Sequence, residues 1–185
     1  MLVIKPSIAS INAIVEVIKR DGVVVFPTDT AYGLGGVFDS KKVIKKVLAI
    51  KKRKDKKFVL VASSLKQVKA FFNLNSVEEK LAKKYWPGPL SIVVSKKFSI
   101  RVPDNQITRQ LCQLAGKPLI ATSANLSGQS TVYNTKSVIN YFKENKDKPD
   151  LILDAGRLKK KKTSTLVKVS RNKIKILRAG AIKIN

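Results

Sequence analysis

Gly22-Val23-Val24-Val25-Phe26-Pro27-Thr28-Asp29-Thr30-Ala31-Tyr32-Gly33-Leu34-Gly35-Gly36 is the stretch from which the rest of the chain is read. Val23 to Phe26 is apolar, of strand length and rich in β-branched residues, so it reads as a buried strand. Pro27 has no N–H to donate to a further ladder bond, so the strand stops there or lies at an edge. Thr28-Asp29-Thr30 is a polar turn with two hydroxyls and a carboxylate. The glycines at 33, 35 and 36 let the backbone turn sharply or approach a ligand closely. Two readings stand side by side: a strand followed by a tight turn, and a strand delivering hydroxyls into a glycine-bracketed loop, as small-molecule sites are often built.

Working outward, strands and amphipathic helices alternate. Leu2 to Ile4 reads as a first strand, and Ser7 as the N-cap of a helix through Arg20 with Ile8, Ile11, Ile14, Val15 and Ile18 on one face. Leu34 to Phe38 reads as a strand returning from the loop. Asp39 then caps a helix whose stripe is Val43, Ile44, Val47, Leu48 and Ile50. After the charged run Lys51 to Lys57 comes the apolar strand Phe58 to Ala62. Ser64 opens a helix that turns Leu65, Val68, Phe71 and Phe72 inward. Ser76-Val77-Glu78-Glu79 has the form of a capping box for a helix to Trp86, which Pro87-Gly88-Pro89 stops. Trp86 reads as a packing residue.

Leu90–Ser95 and Ser99–Val102 are two strands joined by Lys96-Lys97. A helix after Pro103-Asp104-Asn105 turns Ile107, Leu111, Leu114 and Ala115 inward and ends at Gly116. Pro118 to Thr122 is one buried strand running into Ser123-Ala124-Asn125-Leu126-Ser127-Gly128. Thr135 caps a helix with Val138, Ile139 and Phe142 inward. Leu151–Leu153 is a strand, residues 155–162 are loop, and Thr165–Val169 pairs with Ile174–Leu177 as a hairpin. The expectation is a single α/β domain over residues 1–185, three-layered, with a mixed, twisted central sheet flanked by helices.

Composition narrows the chemistry. No apolar run approaches the ~18 residues of a membrane span, and the opening Met-Leu-Val-Ile-Lys-Pro lacks the form of a signal peptide. The single Cys112 excludes an internal disulfide and fits a reducing cytoplasm, where we expect the protein. Thirty-eight Lys and Arg against 12 Asp and Glu give a formal net charge of +26, a field that favours polyanions. With no histidine, Ser-His and Cys-His nucleophile pairs and histidine metal sites are excluded. Chemistry here rests on positioning and on electrostatic stabilisation by Lys, Arg, hydroxyls and backbone N–H groups, or on a carboxylate. Neither a Walker A sequence nor a complete G-x-G-x-x-G occurs, since Phe38 stands at the third glycine position.

Four segments place hydroxyls, glycine or guanidinium beside a strand end: 27–36, 51–57, 123–128 and 164–178. The first is the organising stretch. In the second, Lys51 and Arg53 lie where a helix end meets a buried strand, a position at which open α/β sheets bind ligands, and Arg grips phosphate bidentately. The third offers Ser123, Asn125 and Ser127, the group types that hold phosphate or carboxylate oxygens. Lys159 to Lys162 is a run of four lysines in the loop before the last segment.

Pro-Thr-Asp-Thr-x-Tyr-Gly-Leu-Gly at 27–35 and Ser-Ala-Asn-x-Ser-Gly at 123–128 resemble the signatures of the YrdC-type threonylcarbamoyl-AMP synthases. Lys51-x-Arg53, Arg101-Val-Pro-Asp104, Ser164-Thr165 and Leu177-Arg178-x-Gly180 follow in the family's order. The resemblance covers nearly the whole length and the short, single-domain form. It implies condensation of L-threonine, bicarbonate or CO2 and ATP into threonylcarbamoyl-AMP with release of pyrophosphate. A partner complex would then transfer the group to adenosine 37 of tRNA.

It further implies threonine-binding positions at Thr30, Arg101, Ala121 and Ser164. The implied nucleotide-binding positions are Arg53, Lys56, Ser123, Asn125, Thr131 and Arg178, with Lys51 and Arg53 as the catalytic pair. ATP would be accompanied by Mg2+, with no tightly bound protein-ligated metal. The chain departs from the pattern at Lys54, where proline is common, at Phe58-Val59 and at Ala179. The loop after Arg53 is a residue short, which leaves the basic contact to Lys56 or Lys57. The alternative reading is a non-catalytic module binding double-stranded RNA or tRNA, suggested by the charge. A third is a carbamoyl-phosphate-processing domain, which normally sits in a far larger chain.

Overall fold

The computed structural model describes residues 1–184. In chain order the elements are β1 (Leu2–Ile4), α1 (Ile8–Lys19), β2 (Val24–Pro27), β3 (Tyr32–Gly35), α2 (Lys41–Lys51), β4 (Phe58–Val61), α3 (Leu65–Phe71) and α4 (Ser76–Tyr85). They continue as β5 (Leu90–Val93), β6 (Phe98–Arg101), α5 (Gln106–Ala115), β7 (Leu119–Ile120), β8 (Thr122–Ser123) and α6 (Thr135–Phe142). β9 (Leu151–Leu153), β10 (Thr165–Ser170) and β11 (Lys173–Arg178) complete the fold. The class is α/β with mixed pairing, as the alternation of periods indicates.

Helix starts follow side-chain capping, sometimes one residue from where the sequence pattern puts them. Ser7 caps α1 and Ser64 caps α3, each accepting from the N3 backbone N–H. Ser40 rather than Asp39 caps α2. Asn75 rather than Ser76 caps α4, with Glu78 closing the box onto the Asn75 N–H. Asn134 rather than Thr135 caps α6. Asn accepts the N3 N–H as well as Ser or Thr does, so neighbouring cap formers compete within a residue or two. Leu114, expected inward, is 42% exposed at the end of α5, and Phe71 is 37% exposed on α3, which buries only Val68 fully.

The strands form two hydrogen-bonded sheets instead of one. The five-stranded sheet has the order β1-β9-β2-β3-β8 and the six-stranded sheet β11-β10-β5-β6-β4-β7. The apolar run expected as one strand at 118–122 divides between them. β7 pairs with β4, through Leu60↔Ile120, whereas β8 pairs with β3, through Gly33↔Ser123. The changeover falls at Ala121, whose N–H donates to Val59 O at 2.9 Å, while Ile120 N–H donates to Gly36 O at 2.8 Å. Residues 119–123 therefore satisfy their backbone groups on both sheets and form the seam between them. Gly35 sits at that seam: a Cβ there would lie 1.7 Å from Ile120 O.

One face of the six-stranded sheet is core. Leu60, Ile100, Ile92 and Val167 lie side by side in register and are fully buried. Side chains alternate along a strand, so the opposite face carries Val59, Ser99, Arg101, Val93, Leu166 and Lys168. α5 packs against β2 of one sheet and β4 of the other, and one apolar cluster spans both sheets. The polar face of the second sheet thereby becomes the floor of a cavity.

Candidate active site

Pro27 closes the core strand β2, and the turn after it is built by Thr28. Its Oγ1 donates to Ala31 O at 2.7 Å and accepts the N–H groups of Thr30 and Ala31, both at 3.2 Å. Thr108 Oγ1 of α5 donates to Pro27 O at 2.5 Å and ties the turn to the helix. The turn leaves Thr30 half-buried at the cavity and Asp29 turned toward Arg101 on β6.

Arg101 is 4% exposed. Its Nη2 lies 2.8 Å from Asp29 Oδ1 and donates to Thr30 Oγ1 at 3.2 Å. The carboxylate contact is close but poorly aligned, so it is Coulombic more than hydrogen-bonded. Burial lowers the Arg101 pKa, the Asp29 charge raises it, and the Arg178 charge lowers it further. Arg101 Nε is buried without an acceptor among the described residues. A buried guanidinium donor left unpaired is costly, which points to an anion as its partner.

At the far side, Arg178 of β11 donates through Nε and Nη2 to Ser164 O, at 3.2 and 2.8 Å, and through Nη2 to Ser164 Oγ at 3.0 Å. Ser164 Oγ in turn lies 3.0 Å from Ser91 Oγ. Arg53 lies just beyond α2, where Lys52 takes a left-handed conformation (φ 50°) and ends the helix. Its Nη2 donates to Lys57 O at 2.5 Å and meets Asp55 Oδ2 at 3.0 Å, with the guanidinium over the Phe58 ring. The hydrogen bond from Arg53 holds the exposed Asp55 carboxyl below the usual carboxylate range.

Thr30, Arg53, Arg101, Ala121, Ser123, Thr131, Ser164 and Arg178 line one cavity of about 870 Å³, within the range of small-molecule sites. Five segments far apart in sequence meet there. Lys51 and Asn125 line an adjoining recess of about 440 Å³ that shares Arg53, Thr122 and Ser123 with the main cavity. Lys56 lines neither, whereas Lys57 lines the main cavity. The side chain of this loop that faces inward is the one beside Phe58.

Several cavity residues carry no signal in the linear sequence. Lys96 and Lys97, read as a hairpin connection, line the wall beside Ser99, and so does Lys168 of β10. Lys161 is the one member of its four-lysine run to do so. The loop that carries it is pinned by Tyr32 Oη, which donates to Gly156 O at 2.7 Å, and by Leu158 N–H, which donates to Tyr133 O at 2.7 Å. Burial, with the Asp154 charge adding, pushes the Tyr32 phenol up to about 12, so it stays a neutral donor. Eight Lys and Arg side chains line the cavity against one carboxylate, Glu78, which is engaged with the Asn75 N–H. Such a surface concentrates a polyanionic ligand. Among the described residues no group of three His, Cys, Asp or Glu is placed to hold a metal ion, and no helix is long and apolar enough to cross a membrane.

The Sua5/YciO/YrdC family model, described as telomere recombination, matches residues 16–180. A threonylcarbamoyl-AMP synthase of Psychromonas ingrahamii is 33% identical over 172 residues, covering 84% of this chain and 88% of that protein. The structure of Pyrococcus abyssi Sua5 complexed with L-threonine superposes with a TM-score of 0.86 at 26% identity, over 97% of this chain and 57% of that longer one. Escherichia coli YciO superposes with a TM-score of 0.83 at 25% identity, over 97% and 94% of the two chains.

Proposed function

This chain belongs to the Sua5/YciO/YrdC family, and on that premise we propose that it is a threonylcarbamoyl-AMP synthase. The observation that carries the reading is the convergence of Thr30, Arg101, Ser164, Arg178, Arg53 and Ser123 on one electropositive cavity. Its substrates are L-threonine, bicarbonate or CO2, and ATP, with magnesium arriving on the nucleotide. It is a nucleotidyltransferase in reaction class.

The chemistry asks for no histidine. The threonine amine captures CO2 as a carbamate, and a carbamate oxygen attacks the α-phosphorus of ATP. The bond to pyrophosphate breaks, and the new acyl phosphate is threonylcarbamoyl-AMP. The protein has to hold carboxylate, carbamate and phosphates together despite their repulsion and to stabilise the leaving pyrophosphate. The Arg101 guanidinium, whose Nη2 donates to the Thr30 hydroxyl at the cavity, is suited to the threonine carboxylate. Arg53, Ser123 and Arg178 line the cavity where the phosphates would lie, with Lys57 and Lys161 adding charge on the wall and Ser164 beside the threonine. Arg53 has to exchange its Asp55 contact for phosphate, a trade that an exposed, solvent-screened pair makes at little cost.

The product then serves a tRNA-modifying transferase that delivers the threonylcarbamoyl group to adenosine 37. The RNA-binding module has less behind it, since relatives covering most of this chain are named for synthesis and eight of the 38 Lys and Arg side chains converge on one cavity. The test is incubation with ATP, labelled bicarbonate and each amino acid in turn. Threonine should give labelled adenylate and an equal amount of pyrophosphate. Salt-sensitive RNA binding without threonine-dependent turnover would favour the other reading. Arg53→Ala should lower kcat/KM by about 10²–10³-fold, as loss of a phosphate-stabilising donor does, with the thermal transition little changed. Turnover equal to that of the unmodified protein would remove Arg53 from the mechanism.

A further inference from the structure

Lys51 and Arg53 stand two residues apart in one motif, yet their surroundings differ. Lys51 is the last residue of α2 and is 3% exposed. Its Nζ donates to Ser123 O at 2.6 Å, to Asn125 O at 2.7 Å and to Asn125 Oδ1 at 3.2 Å. An ammonium has three protons, so all of them are spent on the loop. The Lys51 carbonyl also accepts the Ser127 N–H at 3.2 Å. Asn125 is 5% exposed and likewise engaged: its Oδ1 also accepts from Ser123 Oγ at 2.5 Å, and its Nδ2 donates to Gln129 O. Lys51 therefore keeps no donor for a phosphate, and Asn125 has its Oδ1 and one of its two amide N–H groups committed to the loop.

We propose that Lys51 and Asn125 are positioning residues that clamp the 123–127 turn onto the end of α2, holding Ser123 and Arg53 together at the junction of the cavity and its recess. The proposal rests on the nucleotide-dependent reading above. The clamp locks the loop that leaves the short strand β8 to the helix terminus from which Arg53 departs. Arg53 N–H donates to Leu48 O at 3.0 Å, so the guanidinium and the Ser123 turn share one anchor.

This geometry makes the site sensitive to the Lys51 proton. Burial, with the neighbouring Arg53 charge adding, pulls the Lys51 pKa from 10.5 to about 8. The other charged side chains lining the recess are Lys52, Lys54 and Asp55, all on the same segment, and the packed loop contributes only hydroxyls and amides. On deprotonation one of the three donors is lost and a lone pair faces carbonyl oxygens. The fold should survive the change. A lysine with a lowered folded pKa gives up its proton before the unfolded chain does, so between about 8 and 10.5 rising pH favours the folded state as far as this group is concerned.

Binding of α,β-methylene-ATP without threonine, followed by calorimetry from pH 7 to pH 9.5, tests the clamp. The unmodified protein should weaken about tenfold across that range, the scale of a charged hydrogen bond lost. Lys51→Met should start about tenfold weaker at pH 7 and show no pH dependence. Should that variant not fold, Asn125→Ala should be weaker at pH 7 and retain the pH dependence, because the two backbone acceptors of Lys51 remain. An unmodified protein whose affinity does not change with pH, or a Lys51→Met variant that keeps the pH dependence, overturns the clamp. If the pH effect is present and no labelled adenylate forms, the clamp stands and the synthase reading falls. Absence of analogue binding at pH 7 overturns both.

Discussion

Gly35→Ala is expected to cost at least about 3 kcal/mol of stability, the upper range of overpacking in a well-packed interior. The added Cβ would lie 1.7 Å from Ile120 O and 2.5 Å from Ile120 C, both backbone atoms of the seam. No rotamer relieves such a contact. Either β3 separates from residues 119–123 or the two sheets move apart, and each route breaks the hydrogen bonds around Gly36 and Ala121. For a chain of this size that corresponds to a fall in Tm of roughly 6–12 °C. Gly128→Ala is the control, since its φ is +80° but nothing lies within 4 Å. It should cost only about 1 kcal/mol, from the left-handed backbone alone. Equal melting temperatures for the two variants would mean that the sheets are not joined through Gly35.

Arg101→Met should abolish threonine-dependent turnover and also destabilise the protein. Removing the guanidinium strands Asp29, whose side chain is 3% exposed, next to an apolar chain. Breaking a buried pair from one side costs about 3–5 kcal/mol. Asp29→Asn in the same background removes the stranded charge and should restore much of that loss, because the amide can still accept the Asp104 N–H that Asp29 Oδ2 takes at 3.3 Å. The double variant should stay inactive toward threonine while binding α,β-methylene-ATP within a few-fold of the unmodified protein. This split separates the two roles of Arg101 in a thermodynamic cycle. A double variant no more stable than Arg101→Met would show that the ion pair does not carry the stability. Turnover by either variant would show that the threonine carboxylate is held elsewhere.

Much of the site follows from local rules. Val23–Phe26 had to be buried, Pro27 had to end the ladder, and the Thr-Asp-Thr turn had to leave the strand end with its hydroxyls. The family signatures then placed Thr30, Arg101, Ser123, Ser164 and Arg178 in an order that the fold brings to one cavity. Lys97, Lys161 and Lys168 could not be picked out in this way. In a chain with 38 Lys and Arg, a lysine on a cavity wall has the same neighbours in sequence as one in solvent. Lys51 shows the reverse case, a motif lysine beside an arginine whose ammonium is wholly enclosed by loop carbonyls.

Periodicity and turn chemistry by themselves determined the α/β class, the succession of helices and strands, and the strand-end positions of the polar motifs, because each depends on residues within a few positions of one another. Only the tertiary structure decided that the run at 118–122 would serve two sheets, that the sheet face bearing Ser99 and Arg101 would stay open as a cavity floor, and which cations would be enclosed. Those outcomes depend on which distant backbone groups satisfy one another, and on which of two chemically similar faces the helices leave uncovered.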